Sequence, residues 1–194
     1  MKRQQLINVT LAGLAAIIPL GAIGSSIVMA QTAIDLATFR STALSKHNSY
    51  RTTHRSPNMA ISSSLNNTAQ SWAEYLAANG AFQHSSASQR NNAGENLYVS
   101  YTTAPSISAA TLGNEGVTNW YNEVSAYNYS SPGFSAETGH FTQVVWKNSN
   151  QLGCGAAKGV KTLNGRQYNA FYVVCHYAPA GNVMGQFPEN VLKP

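Results

Sequence analysis

Charge is scarce in this chain of 194 residues: charged side chains make up only 10% of it, with 7 acidic residues against 12 Lys and Arg. Hydrophobic residues make up 43%, which excludes the disordered class, whose mark is few apolar side chains and high net charge. The formal charge of +5 is carried singly or in pairs, without the basic tract that follows a phosphate backbone, so no nucleic-acid partner is expected. Common catalytic motifs are missing as well: there is no His-Glu-x-x-His and no Gly-x-Ser-x-Gly. Cysteine is reduced to 2 residues, neither close to the amino-terminal segment, so no lipid anchor is expected there. The length leaves room for one ordinary domain, or for a domain with an appendage.

The appendage is the first thirty residues. Lys2 and Arg3 precede an apolar stretch through Leu6, Leu11, Leu14, Ile17, Ile18 and Leu20, and Val28-Met29-Ala30 offers small residues at both ends of a cleavage tripeptide. This is the pattern of a secretory signal, and it predicts a leader over 1–30 and a single domain over 31–194. The alternative is an uncleaved membrane anchor, since Leu6 to Ala30 is longer than the roughly 20 residues that a bilayer requires. Export implies an extracellular protein, or a periplasmic one in a double-membrane bacterium.

An exported chain matures where disulfides persist, so Cys154 and Cys175 are expected to pair. Asn164-Gly165 is the dipeptide favoured by a two-residue type I′ hairpin, because both central positions need positive φ. Each cysteine stands ten residues from that turn, one on either side. In a hairpin without a bulge they face each other at a non-hydrogen-bonded pair, where the Cα atoms come closest. The returning strand, Tyr168 to Cys175, is apolar on both faces, which predicts a central place in a sheet.

Leu65, Ala69, Trp72 and Leu76 keep helical spacing, with Asn79-Gly80 as a stop. An earlier helix is predicted from about Ile34 to Arg51, with Leu36, Phe39, Ala43 and His47 on one stripe. A third is predicted from about Ser108 to Tyr127, weakened at its start by Gly113 and Gly116. It would carry Glu123 on the same face as Trp120, Val124 and Tyr127. A carboxylate among core side chains needs a specific partner or a proton. With the strand-like segment Asn96 to Ser100 and the late hairpin, this pattern gives an α+β fold, helices packed over a mostly antiparallel sheet.

The ionisable candidates are few. His84 follows a helix stop, Glu95 precedes a strand, Glu123 lies on an apolar face, and His140 sits in Gly139-His140-Phe141-Thr142. His47, His54 and His176 are expected to be structural. Gly139-His140-Phe141-Thr142-Gln143-Val144-Val145-Trp146 resembles the first signature of the CAP superfamily, which groups cysteine-rich secretory proteins, antigen five allergens and plant pathogenesis-related class 1 proteins. Tyr172-Val173-Val174-Cys175-His176-Tyr177-Ala178-Pro179-Ala180-Gly181-Asn182-Val183 is similar to the second signature. His47-Asn48-Ser49-Tyr50-Arg51 resembles the early helix motif, and Gly94-Glu95-Asn96-Leu97 the central one. The resemblance runs in the family's order from about Phe39 to Pro188.

This resemblance implies an α-β-α sandwich and a cleft lined by His84, Glu95, Glu123 and His140, a set able to hold zinc or another divalent metal with water in the open positions. It also implies a ligand-binding loop. Tyr127-Asn128-Tyr129-Ser130-Ser131-Pro132-Gly133-Phe134 is similar to the sterol-binding loop of fungal members, with Tyr127, Tyr129 and Phe134 offering apolar surface; the alternative is a turn whose aromatics close the core. Pro179 to Pro188 resembles a segment that plant members release as a signalling peptide, although this chain departs from that pattern after Pro188. The leading expectation is a secreted binding module for a small apolar ligand, lipid or sterol. The alternative is a hydrolase. Glu95 and Glu123 would then act as paired carboxylates, a metal-bound water would attack, or Ser85 or Thr142 would serve as nucleophile. A third is a partner of cell walls or host surfaces.

Overall fold

The computed structural model describes residues 33–194. The leader expected over 1–30 lies outside the described residues. No helix among the described residues is long and apolar enough to cross a membrane. The elements run α1 (Leu36–Thr53), β1 (Ala60–Ile61), α2 (Ser63–Asn79), β2 (Gly94–Thr102), α3 (Ala109–Asn122), a 3₁₀ turn (Glu123–Ala126), α4 (Gly139–Val145), β3 (Gln151–Leu163), β4 (Arg166–Ala178) and α5 (Phe187–Asn190). The four strands form one mixed sheet in the order β1-β3-β4-β2 with helices on both faces, an α+β sandwich.

The hairpin organises this sheet. Asn164 and Gly165 both take positive φ, at 50° and 77°, as the I′ turn requires. From there β3 and β4 pair without a bulge as far as Gln151 opposite Ala178. Cys154 therefore faces Cys175, and the two form a disulfide with Cα atoms 4.2 Å apart. β4 is central, flanked by β3 and β2. Its alternate residues feed two cores: Phe171, Val173, Cys175 and Tyr177 pack toward α1, α3 and α4, while Ala170, Tyr172 and Val174 pack on Ala69, Trp72, Ala73 and Leu76 of α2.

Strand β1 is only two residues long and pairs parallel to β3. It is too short to leave an alternation pattern in the sequence. Beyond it, the edge of β3 is covered by a helix. A Cβ on Gly153 or Gly155 would fall 2.2 or 2.4 Å from the α2 backbone, so only glycine lets the helix come this close. At that distance Asn66 Oδ1 accepts from the Cys154 amide at 2.8 Å and Gln70 Oε1 from the Ala156 amide at 3.0 Å. These side chains satisfy donors that an open sheet edge would leave unpaired.

Helix boundaries follow their caps. Asp35 accepts from the amides of Ala37 and Thr38 at the start of α1, and Gly80 closes α2 in the left-handed conformation. Helix α3 differs from expectation: it ends at Asn122 rather than near Tyr127, and the chain tightens into the 3₁₀ turn. Glu123 thereby leaves the apolar stripe and reaches α4.

Candidate functional site

A cleft of about 200 Å³ opens where the sheet end meets the loops, lined by His84, Glu95, Asn96, Phe134, Gly139 and His140 among others. Its two histidines come from opposite layers. His84 follows α2, in a loop strapped by Arg90, which donates to the carbonyls of Ala93 and Ser85, and by Trp72, whose Nε1 donates to Gln83 O at 3.0 Å. His140 sits in the first turn of α4.

Glu95 is held from every side. Its Oε1 accepts from His84 Nδ1 at 2.6 Å and from the Ser85 amide at 3.0 Å. Its Oε2 accepts from the Ser85 hydroxyl at 2.6 Å and from His176 Nε2 at 3.0 Å. The side chain is 1% exposed. Burial alone would raise its pKa, but the hydrogen bonds from His176, His84 and Ser85 outweigh that cost and hold the carboxyl far below the usual carboxylate range. All of its lone-pair directions are occupied.

Glu123 serves His140 in a looser setting. Its Oε1 accepts from His140 Nδ1 at 2.7 Å, and its Oε2 accepts from the amides of His140 and Phe141, both at 3.0 Å. It is the acidic cap of α4, with 22% of its side chain exposed. The difficulty of a carboxylate on an apolar helix face is resolved by the end of α3 at Asn122 and by these three donors. In both halves the carboxylate takes Nδ1–H, and neither Nε2 has a partner among the described residues.

The far end of α4 is anchored by Arg51, which is fully buried. Its guanidinium donates to the carbonyls of Pro57, Val144, Trp146 and Ser149 at 2.7–3.1 Å. The floor beneath His140 is a second chain: Asn96 Nδ2 donates to His140 O and to the Tyr177 hydroxyl, which donates to His47 Nε2, while His47 Nδ1 donates to Ala43 O. Burial pushes His47 down to about 4, so it is neutral near pH 7. His54 is structural in the same way, held between Leu192 O and the Tyr121 hydroxyl.

The sequence reasoning missed three members of this assembly. His176, expected to be merely structural, reaches Glu95 because the two are direct partners across β2 and β4. Asn96 and Arg51 stand out in the sequence only as members of motifs, with no role of their own. Arg51 carried a readable sign, a lone cation continuing the Phe39, Ala43, His47 stripe at four-residue spacing.

The proposed nucleophiles are otherwise engaged. Ser85 gives its proton to Glu95, and Thr142 Oγ1 donates to Asn182 Oδ1 at 2.6 Å. Neither hydroxyl is bonded to an imidazole. As for metal, no group of three or more His, Cys, Asp or Glu among the described residues is arranged to hold an ion. The donors left open are the two Nε2 atoms, with the carboxylates behind them, which is the carboxylate–histidine arrangement that orients imidazole toward metal. A divalent cation entering the cleft would find only these two imidazoles and would complete its shell with water.

The three aromatic residues of the loop separate. Tyr127 is only 8% exposed and its ring meets Phe141 edge to face, with Tyr129 against it. Phe134 is 55% exposed and lines both the cleft and a neighbouring pocket of about 300 Å³, which also takes in Ala126, Tyr127, Pro132 and Thr138. The hydroxyls of Tyr129 and Thr138 are buried without a partner among the described residues, and that of Tyr127 lies against the Gly133 backbone.

The Cysteine-rich secretory protein family (CAP) matches residues 44–177. The chain is 39% identical over 159 residues to the human Golgi-associated plant pathogenesis-related protein 1, covering 80% of this chain and 94% of that one. It is 36% identical over 167 residues to the secreted protein RBT4 of Candida albicans, where the match covers 80% of this chain but spans only 41% of the relative. Among solved structures, NaASP2 with Zn²⁺ superposes with a TM-score of 0.61 at 25% identity, covering 80% of this chain and 85% of the other. The matched span contains both histidine–carboxylate pairs and the disulfide, and the chain belongs to the CAP, cysteine-rich secretory protein, family.

Proposed function

We propose that the protein is a secreted binding module for a small apolar ligand bearing a hydroxyl, of the sterol or lipid class, received by the loop pocket beside the histidine cleft. The observation that carries this reading is the pocket's lining: the exposed ring of Phe134 with Ala126, Pro132 and the Tyr127 ring form an apolar side, Asn128, Ser131 and Ser135 a polar one, and the buried hydroxyl of Thr138 has no partner among the described residues. A buried hydroxyl without a partner is costly, and a ligand hydroxyl would satisfy it. Tyr127 shapes the pocket from the core side with Tyr129 packed behind it, and Phe134 supplies the contact area.

The cleft takes an accessory part. A divalent metal such as zinc, held by His84 and His140, would supply positive charge and polarised water. Glu95 and Glu123 would orient the two imidazoles. Hydrolysis by paired carboxylates fits the geometry poorly, because Glu95 is kept ionised with no open lone pair and has no proton to give a leaving group. Secretion rests on the amino-terminal pattern and on the relative named as secreted; a cell-wall or host-surface partner would act through the same exposed rim.

The test is titration of the protein with cholesterol and with cholestane, the same ring system lacking the hydroxyl. Saturable binding of cholesterol, weaker for cholestane, is expected, and Phe134→Ala should lower the affinity by about 1 kcal/mol. No saturable binding of either, or peptide or glycan hydrolysis abolished by Glu95→Gln, would overturn the reading.

A further inference from the structure

We propose that His176 is a positioning residue of the cleft, acting through Glu95 to keep His84 in a single tautomer with Nε2 free. The contact arises from sheet register. Glu95 on β2 and His176 on β4 are direct cross-strand partners, and His176 Nε2 donates to Glu95 Oε2 at 3.0 Å. Both side chains are buried, at 1% and 0% exposed. Behind the ring, Nδ1 is hydrogen-bonded to the Thr68 hydroxyl of α2 at 2.9 Å, and that hydroxyl also reaches Leu65 O at 3.1 Å. One end of the imidazole is thus tied to a helix and the other to the carboxylate.

The consequence lies in what Glu95 can do. A carboxylate offers about four acceptor directions, and here His84, the Ser85 amide, the Ser85 hydroxyl and His176 take all of them. Without His176, Oε2 would keep one donor, the side chain could turn, and the 2.6 Å bond that orders His84 would no longer be fixed in direction. His84 itself is 59% exposed, so little else immobilises it. His140 has no such support; its carboxylate is held by backbone amides of its own helix. His176 therefore acts on one half of the cleft and leaves the other alone.

This inference rests on the cleft's having a ligand-binding role, but its first measurement needs no ligand. Long-range ¹H–¹⁵N spectra of the metal-free protein should show His84 and His140 as Nδ1–H tautomers. In His176→Leu the His84 nitrogens should move toward the averaged values of a free imidazole while those of His140 stay in place. His176→Gln, which returns an N–H donor near the Nε2 position, should restore them. Calorimetry with zinc should show affinity falling about 10- to 100-fold in His176→Leu and recovering in His176→Gln. Where His176→Leu fails to fold, Thr68→Val carries the test, with a smaller His84 shift of the same sign. A folded variant with unchanged His84 spectra would reduce His176 to core packing and overturn the proposal. Absence of zinc binding in the unaltered protein would instead count against the metal role, leaving the tautomer result to decide the positioning role.

Discussion

The two halves of the cleft use the same pair of residues and stabilise it in different ways. His84 leans on a carboxylate sunk between sheet and helix, with every acceptor direction filled by side chains and one loop amide. His140 leans on a carboxylate at the surface that doubles as a helix cap, and its support is mostly backbone. The first arrangement is fixed by long-range contacts and gains strength from exclusion of water. The second is made mostly with backbone amides, partly solvated and weaker per bond. Identical chemistry at the two imidazoles thus depends on tertiary structure to very different degrees.

The largest expected effect breaks the support of the His140 half from behind. Replacing Arg51 with Leu leaves the buried carbonyls of Val144, Trp146 and Ser149 without their donor, and should lower the unfolding free energy by about 3–5 kcal/mol in urea titrations. A loss under about 1 kcal/mol would show that the anchor is dispensable.

Lowering the pH should separate the halves. His47, under His140, has a folded pKa of about 4 against 6.5 for the free side chain. The unfolded chain therefore binds the extra proton first, and stability is lost as pH falls from about 6.5 to 4, by roughly 3 kcal/mol. Glu95, under His84, has a depressed pKa, so its contribution is present above about 4.5 and is lost only below that. Urea midpoints between pH 7.5 and 3 should fall in two stages, and His47→Gln should reduce the first, the remainder coming from His54, whose pKa burial also lowers; a single stage near pH 4 would contradict the assignment.

The carboxylates themselves give a sharper contrast. Glu95→Gln sets an amide NH₂ against donors in a dry site and should cost about 2 kcal/mol of stability, whereas Glu123→Gln, partly in water, should cost about 1 kcal/mol. Equal losses would mean that the difference in burial carries no energetic weight.

The smallest effect on stability concerns the open nitrogens. His84→Ala and His140→Ala should each weaken zinc binding at least about tenfold by calorimetry, with little change in stability, since each imidazole is partly exposed. If one substitution leaves zinc binding intact, that half is not part of the metal site.

The hairpin, its turn and its disulfide could be read from the chain alone, because a two-residue turn sets the register of everything that follows it. The stripe of α2 and its glycine stop were equally legible, being local. The four residues of the cleft came from matching motifs, and so did the loop, but motifs do not report where a side chain ends. That Glu95 meets His176 depended on the pairing of β2 with β4, strands far apart in the chain with no turn to register them. That Tyr127 closes the core while Phe134 faces outward depended on how the loop folds over Phe141. The end of α3 at Asn122 was set by the reach of Glu123 to the amides of α4, a contact across 17 residues that no helical periodicity contains. Local spacing determines the elements and their turns; hydrogen bonds between distant elements decide which polar groups remain free for a ligand, because a group's availability depends on every neighbour that folding brings to it.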